Sequence, residues 1–224
     1  MKTITEQKPI EEIEQCLEKD KNVYIIGCGT CATMCHTGGK TEILEMKEKL
    51  EAMGKNVVGW MVMPTACDDL TGDALDEDAE RVMKADSILV MACAFGTQTV
   101  ASFAEEDGKA VNPALNTLFV GKGSGEMGVF SEICQQCGDC ILSSTGGICP
   151  VTVCAKGLLN GPCGGTNKGK CEENPDKDCA WTLIYTRLKK LDKVDEMRKY
   201  HPPKNYQKVE RPGKVVVGTE GVEK

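Results

Sequence analysis

Cysteine supplies most of the chemistry this sequence offers. Three thiols fall within eight residues in Cys28-Gly29-Thr30-Cys31-Ala32-Thr33-Met34-Cys35, and a C-x2-C-x2-C run stands at Cys134-Gln135-Gln136-Cys137-Gly138-Asp139-Cys140. Thiolates are soft donors, and groups of three or four of them select zinc or iron-sulfur clusters. The second run is the opening of a ferredoxin-type motif, with three ligands on one tight turn. It departs from the ferredoxin pattern because the next cysteine, Cys149 before Pro150, follows after eight residues rather than three. Whether Cys149 serves the same site is open at this stage. Cys154, Cys163, Cys171 and Cys179 bring this region to eight thiols, the number that two four-thiolate centres require. Their spacing does not assign them to one centre or the other. Gly161-Pro162-Cys163-Gly164-Gly165 allows backbone to approach a metal closely, because glycine has no Cβ in the way.

Other chemistry is sparse. Gly27-Cys28-Gly29-Thr30-Cys31-Ala32 fits the dinucleotide pattern G-x-G-x-x-A. However, Met63-Pro64-Thr65 stands where an acidic residue should hold the ribose, and two bulky thiols occupy the loop, so a metal is the better occupant. The only histidines are His36 and His201. His36 beside Cys35 is read as a neighbour of the site, since the cysteines already suffice as ligands. No Ser-His-Asp set or carboxylate pair stands out, so the sequence offers no catalytic residue and no organic-cofactor site. Cys16, alone in a helical segment, is read as an ordinary thiol.

The elements that must position these residues follow from hydrophobic periodicity. The 224 residues are 41% hydrophobic but only 4% aromatic, so the core is aliphatic. Short apolar runs at 23–26, 57–63, 88–91 and 118–120 read as strands, and helical patterns fall at 10–17, 39–53, 73–84 and 96–105. Their alternation predicts an α/β fold: a Rossmann-like parallel sheet with helices on both faces. The Cys28 loop follows the first strand, and Cys67 and Cys93 follow the next two. All five thiols, Cys35 included, are therefore expected at the edge of the sheet formed by the strands' carboxyl ends, where such folds place their sites. One centre would use Cys28, Cys31 and Cys35 with Cys93 or Cys67. Six cysteines fall in residues 1–133 and eight in the 46 residues 134–179, which marks a boundary. Expected are an α/β domain over 1–121, an irregular cysteine-rich metal lobe over 122–180, and a C-terminal helix with a basic tail over 181–224. The helix is read over 180–191, with Leu183, Ile184, Leu188 and Leu191 on its apolar face. Residues 187–224 hold eleven Lys and Arg against six Asp and Glu, a tail that is either solvated or docked on an acidic partner.

The net charge of -7 and pI near 5.1 argue against a general nucleic-acid binder, which needs clustered cations. No apolar run reaches the roughly 18 residues of a membrane span, and the first residues do not look like a signal peptide. A cytoplasmic location without membrane insertion is expected. There, reducing conditions disfavour a disulfide framework and favour metal ligation.

Several stretches are similar to one known family. Ile148-Cys149-Pro150, Cys154-Ala155-Lys156-Gly157-Leu158-Leu159-Asn160-Gly161-Pro162-Cys163-Gly164-Gly165, Gly169-Lys170-Cys171-Glu172 and Asp178-Cys179-Ala180-Trp181 resemble the cysteine-rich methylenetetrahydrofolate reductase C-terminal domain family. Its separate-chain form is the MetV-type subunit of the acetogen reductase complex. Gly27-Cys28-Gly29-Thr30-Cys31-Ala32-Thr33-Met34-Cys35-His36-Thr37-Gly38-Gly39 and Pro113-Ala114-Leu115-Asn116-Thr117-Leu118-Phe119 look like the same family. The resemblance extends over roughly 10–206. It implies two or three [4Fe-4S] clusters, with zinc as an alternative metal, in a non-catalytic electron-transfer subunit. The implied partner is a flavin-containing catalytic subunit that reduces methylenetetrahydrofolate to methyltetrahydrofolate in one-carbon metabolism of the Wood-Ljungdahl type. Flavin and folate would belong to that partner, with an upstream donor such as ferredoxin or a redox subunit. Two other readings stand beside it: a zinc-structured adaptor that docks the reductase without carrying electrons, and a thiol-zinc methyltransferase with an open coordination position.

Overall fold

The computed structural model describes residues 2–105, 107–123, 128–209 and 211–213. The end of the basic tail, 214–224, lies outside the described residues. The chain forms two compact units, Met1–Ser131 and Glu132–Lys224.

The first unit runs β1 (Lys2–Gln7), α1 (Ile10–Cys16), β2 (Asn22–Cys28), α2 (Cys31–Met34), α3 (Lys40–Ala52), β3 (Asn56–Met63), α4 (Thr71–Glu77), α5 (Ala79–Lys84), β4 (Ser87–Met91), α6 (Ala94–Ala104), β5 (Ala110–Pro113) and β6 (Leu115–Gly123). β7 (Phe130–Glu132) spans the boundary between the units. Strands β3-β2-β4-β5 form a parallel sheet in that order. A second sheet has the order β1-β6-β7, with β1 antiparallel to β6.

β2 shows how pattern becomes fold. Val23, Tyr24, Ile25 and Ile26 are all fully buried, as expected for a central strand covered on both faces. Alternation then splits them between two cores. Tyr24 and Ile26 pack with Ile88, Val90, Leu75, Val82 and Val100, on the side of α4, α5 and α6. Val23 and Ile25 pack with Leu89, Met91, Ile13, Leu17, Ile43, Met46 and Leu50, on the side of α1 and α3. Each such aliphatic side chain contributes about 1.5–3 kcal/mol by leaving water. The fold is thus the expected α/β arrangement with helices on both faces of a parallel sheet.

Three local features differ from the sequence pattern. The apolar run 118–120 lies in β6 of the second sheet, and β5 provides the fourth parallel strand. β5 is short and only half-buried, so its hydrophobic signal is weak. The segment 73–84 forms two helices that meet at Asp78, which accepts a 2.6 Å hydrogen bond from the Tyr24 hydroxyl. β1 is polar at every position but Ile4 and has no apolar run to announce it.

The second unit contains α7 (Pro150–Val153) and α8 (Ala180–Lys190), with short 3-10 turns at Val194–Arg198 and Tyr206–Lys208. Its small core is Trp181, Ile184 and Leu188 of α8 against Ile148, Leu158, Met197 and two cysteines, Cys154 and Cys179. Trp181 belongs to the apolar face, whereas Leu183 and Leu191 are exposed. The indole Nε1 of Trp181 donates to the Leu158 carbonyl at 3.0 Å.

Candidate metal centres

In the first unit the parallel sheet delivers its thiols to one edge. Cys28 ends β2, Cys31 starts α2, Cys67 follows β3, and Cys93 caps α6 directly after β4. Cys28 and Cys93 are buried, only 4% and 6% exposed. The turn after Cys28 is tight. Gly29 N donates to Met63 O at 2.7 Å and Cys28 N to Gly38 O at 3.0 Å. Gly38 packs against β4 so closely that a Cβ would lie 1.9 Å from the Met91 carbonyl oxygen. Two amides of the G-x-G-x-x-A loop are therefore already committed, and the helix that follows has only four residues, a poor cradle for a pyrophosphate.

The thiols in this group sense one another. Burial pushes the Cys67 thiol up, and the neighbouring Cys93, Cys28 and Cys31 push it further. At Cys28 burial also acts upward, but hydrogen bonds from the Thr30 hydroxyl and from the Ala66, Thr30 and Ala32 backbone outweigh it and hold the thiol below its usual range. The Thr30 contact measures 3.2 Å. Cys31 Sγ accepts from Thr3 N at 3.4 Å. Cys35 lies against the Thr3 carbonyl, with its Sγ 3.9 Å from that oxygen. Cys67 and Cys93 thus lie at the same edge of the sheet as Cys28 and Cys31, and Cys35 lies beside β1.

The second unit sorts its eight cysteines into two groups of four. Cys134, Cys137, Cys140 and Cys149 line one hollow of about 300 Å³, with Ile141, Leu142, Val151 and Lys204 among its walls. Cys154, Cys163, Cys171 and Cys179 line a much smaller one of about 20 Å³, with Lys156, Thr166, Glu172 and Trp181. Backbone conformation explains how three thiols of the first group share a space only seven residues long. Gln136 (φ 51°) and Gly138 (φ 70°) both take the left-handed conformation, which coils the chain and turns successive N–H groups inward.

Donors surround the sulfurs. Gln136 N approaches Cys134 Sγ at 3.4 Å, and Gly165 N approaches Cys163 Sγ at 3.4 Å. The Thr152 hydroxyl lies 3.7 Å from Cys149 Sγ. The Cys137 thiol is held low by the Asp139 backbone and by Lys204, whose Nζ is 3.2 Å away. Burial raises the Cys179 thiol, but hydrogen bonds from Thr182 and Thr166 win and lower it. Hydrogen bonds that stabilise thiolates suit metal ligation, since the thiolate is the ligand form. Glu172 sits 3.4 Å from Cys163 Sγ and pairs with Lys156, which also reaches Glu173 at 3.3 Å. Lys156 holds the Glu172 carboxyl below its usual range.

An all-sulfur donor set with amide donors at the sulfurs is the chemistry an iron-sulfur cluster or zinc requires, though among the described residues no group of three or more Cys, His, Asp or Glu side chains is placed to hold a metal ion. Cys16 is exposed at the end of α1. His36 is mostly exposed, with its Nδ1 3.9 Å from Glu42, and the His201 backbone N–H donates to Asn160. Sequence reasoning passed over Lys204, Glu172 with Lys156, and the threonines beside Cys28 and Cys179. Polar side chains in aperiodic segments carry no signal of what they will face.

Residues 112–207 match the family described as Methylene-tetrahydrofolate reductase C terminal. The matched segment covers 96 of the 224 residues, begins in β5 and includes all eight cysteines of the two hollows. The thiols at the parallel-sheet edge lie outside the match. No curated protein and no solved structure matches the chain. Among the described residues no helix is long and apolar enough to cross a membrane.

Proposed function

We propose that this chain is the electron-transfer subunit of a methylenetetrahydrofolate reductase complex. The observation that carries the reading is the division of eight cysteines into two hollows of four within the matched domain. Cys134, Cys137, Cys140 and Cys149 would hold one [4Fe-4S] cluster, and Cys154, Cys163, Cys171 and Cys179 a second. A third would use Cys28, Cys31 and Cys35, with Cys93 or Cys67 as the fourth ligand. Bound there, clusters supply one-electron transfer at low potential.

The chain's own residues hold thiolates, point amide and hydroxyl donors at sulfur, and shield the site with Trp181 and neighbouring aliphatic side chains. These are the means by which a protein tunes such a centre. Reduction of 5,10-methylenetetrahydrofolate to 5-methyltetrahydrofolate is assigned to a partner subunit carrying flavin, as the family resemblance implies. The electron donor would be a ferredoxin or another redox subunit. A cytoplasmic setting agrees with fourteen cysteines kept reduced.

The direct test is stopped-flow mixing of the dithionite-reduced chain, freed of excess reductant, with an oxidised flavin subunit of this reductase class. The reading expects the flavin to bleach as the chain reoxidises; flavin that stays oxidised would contradict it. A zinc-structured adaptor is the second reading, favoured by the very small apolar core of the lobe, which metal bonds would have to supplement. Such a chain would be colourless and pass no electrons.

A further inference from the structure

The basic tail has a specific use close to home. Lys204 Nζ lies 3.2 Å from Cys137 Sγ, Lys208 Nζ lies 2.7 Å from Asp139 Oδ1, and Arg211 Nη2 donates to the Gln136 carbonyl at 3.4 Å. Val209 fills the space over Gly138, where a Cβ would come within 2.0 Å of its Cγ2. Three cations and one apolar side chain thus lie along a single turn, the one bearing Cys134, Cys137 and Cys140. Only Lys204 touches a sulfur, and it also lines the hollow that the four thiols share.

We propose that Lys204 is a tuning residue whose ammonium donates to Cys137 Sγ and raises the reduction potential of the centre held by Cys134, Cys137, Cys140 and Cys149. The inference rests on the iron-sulfur reading above. Four thiolates make such a centre anionic, and accepting one electron makes it more so. A fixed positive charge at hydrogen-bond distance from a ligand sulfur favours the reduced form over the oxidised one. Lys208 and Arg211 hold the tail against the turn through Asp139 and Gln136, and so keep Lys204 in place.

The test is an equilibrium dithionite titration, followed by electron paramagnetic resonance, on full-length chain purified anaerobically with iron and sulfide counted. Lys204→Gln should keep its iron, and at a fixed potential the reduced-to-oxidised ratio of one centre should fall about tenfold, or about 59 mV for a one-electron couple. Lys204→Arg should restore most of the shift, and Lys208→Gln, which touches no sulfur, should change less. Lys204→Met keeps the packing of the stem and gives the same reading if the Gln variant sheds iron. An unmoved potential at full iron content overturns the role of Lys204 alone. Zinc without sulfide in the wild-type chain overturns the iron-sulfur reading, and this inference with it.

Discussion

Cys149 and Cys154 are five residues apart yet line different hollows, whereas Cys149 and Cys137 are twelve apart and line the same one. This separation makes a sharp prediction. If each hollow holds one [4Fe-4S] cluster, the lobe carries about eight irons, four per group of thiols. Cys149→Ala should then remove about four irons together with four sulfides, and the visible absorbance near 400 nm should fall in proportion. Cys137→Ala should remove the same four. The Cys137→Ala/Cys149→Ala double variant should still lose only about four, because both changes act on one centre and are not additive. Cys149→Ala/Cys154→Ala should lose about eight. The assay is iron and acid-labile sulfide analysis of anaerobically purified full-length variants, with spectra before and after dithionite. Loss of eight irons in the first double variant, or of only four in the second, would refute the grouping.

Other expectations follow from packing and electrostatics. Ile184 is fully buried in the small core of the lobe, so Ile184→Ala should cost about 2–5 kcal/mol, read from urea unfolding by tryptophan fluorescence; a change under about 1 kcal/mol would mean the metal, not this core, holds the lobe. Gly38→Ala would set a Cβ 1.9 Å from the Met91 carbonyl oxygen and should destabilise the first unit by about 3 kcal/mol, whereas an unchanged midpoint would deny that close approach. Asp86 accepts from Lys21 N and Asn22 N at 2.8 and 2.7 Å, which holds its carboxyl below the usual value. Its contribution is therefore present above the unfolded-state pKa of about 3.9 and is lost as pH falls through the lower folded value. Asp86→Asn should flatten the fall of stability in that acid range, measured by urea unfolding between about pH 2 and 5; an identical slope in wild type and variant would contradict this.

Much of the first unit is legible because central strands announce themselves. The runs around Ile25, Met61 and Leu89 are apolar on both faces, and the position of Cys28, Cys67 and Cys93 after three such strands already predicts a shared edge. Pairing is less legible. Leu118-Phe119-Val120 reads as another parallel strand, but hydrophobicity alone does not say that β6 pairs with the polar strand β1. In the lobe the thiols are plain to see while their partition is not, because it depends on the left-handed turns at Gln136 and Gly138 and on how α8 packs. Lys204 was invisible as a site residue because its role arises from a contact 67 positions distant in the chain.

The central claim is that these thiols hold iron-sulfur clusters. Its most direct test is metal and acid-labile sulfide analysis of the anaerobically purified chain, with the visible spectrum recorded before and after dithionite. The account predicts about eight to twelve irons per chain, matching sulfide, and broad absorbance near 400 nm that bleaches on reduction. Zinc alone, with no sulfide and no colour, would contradict it and make the chain a scaffold.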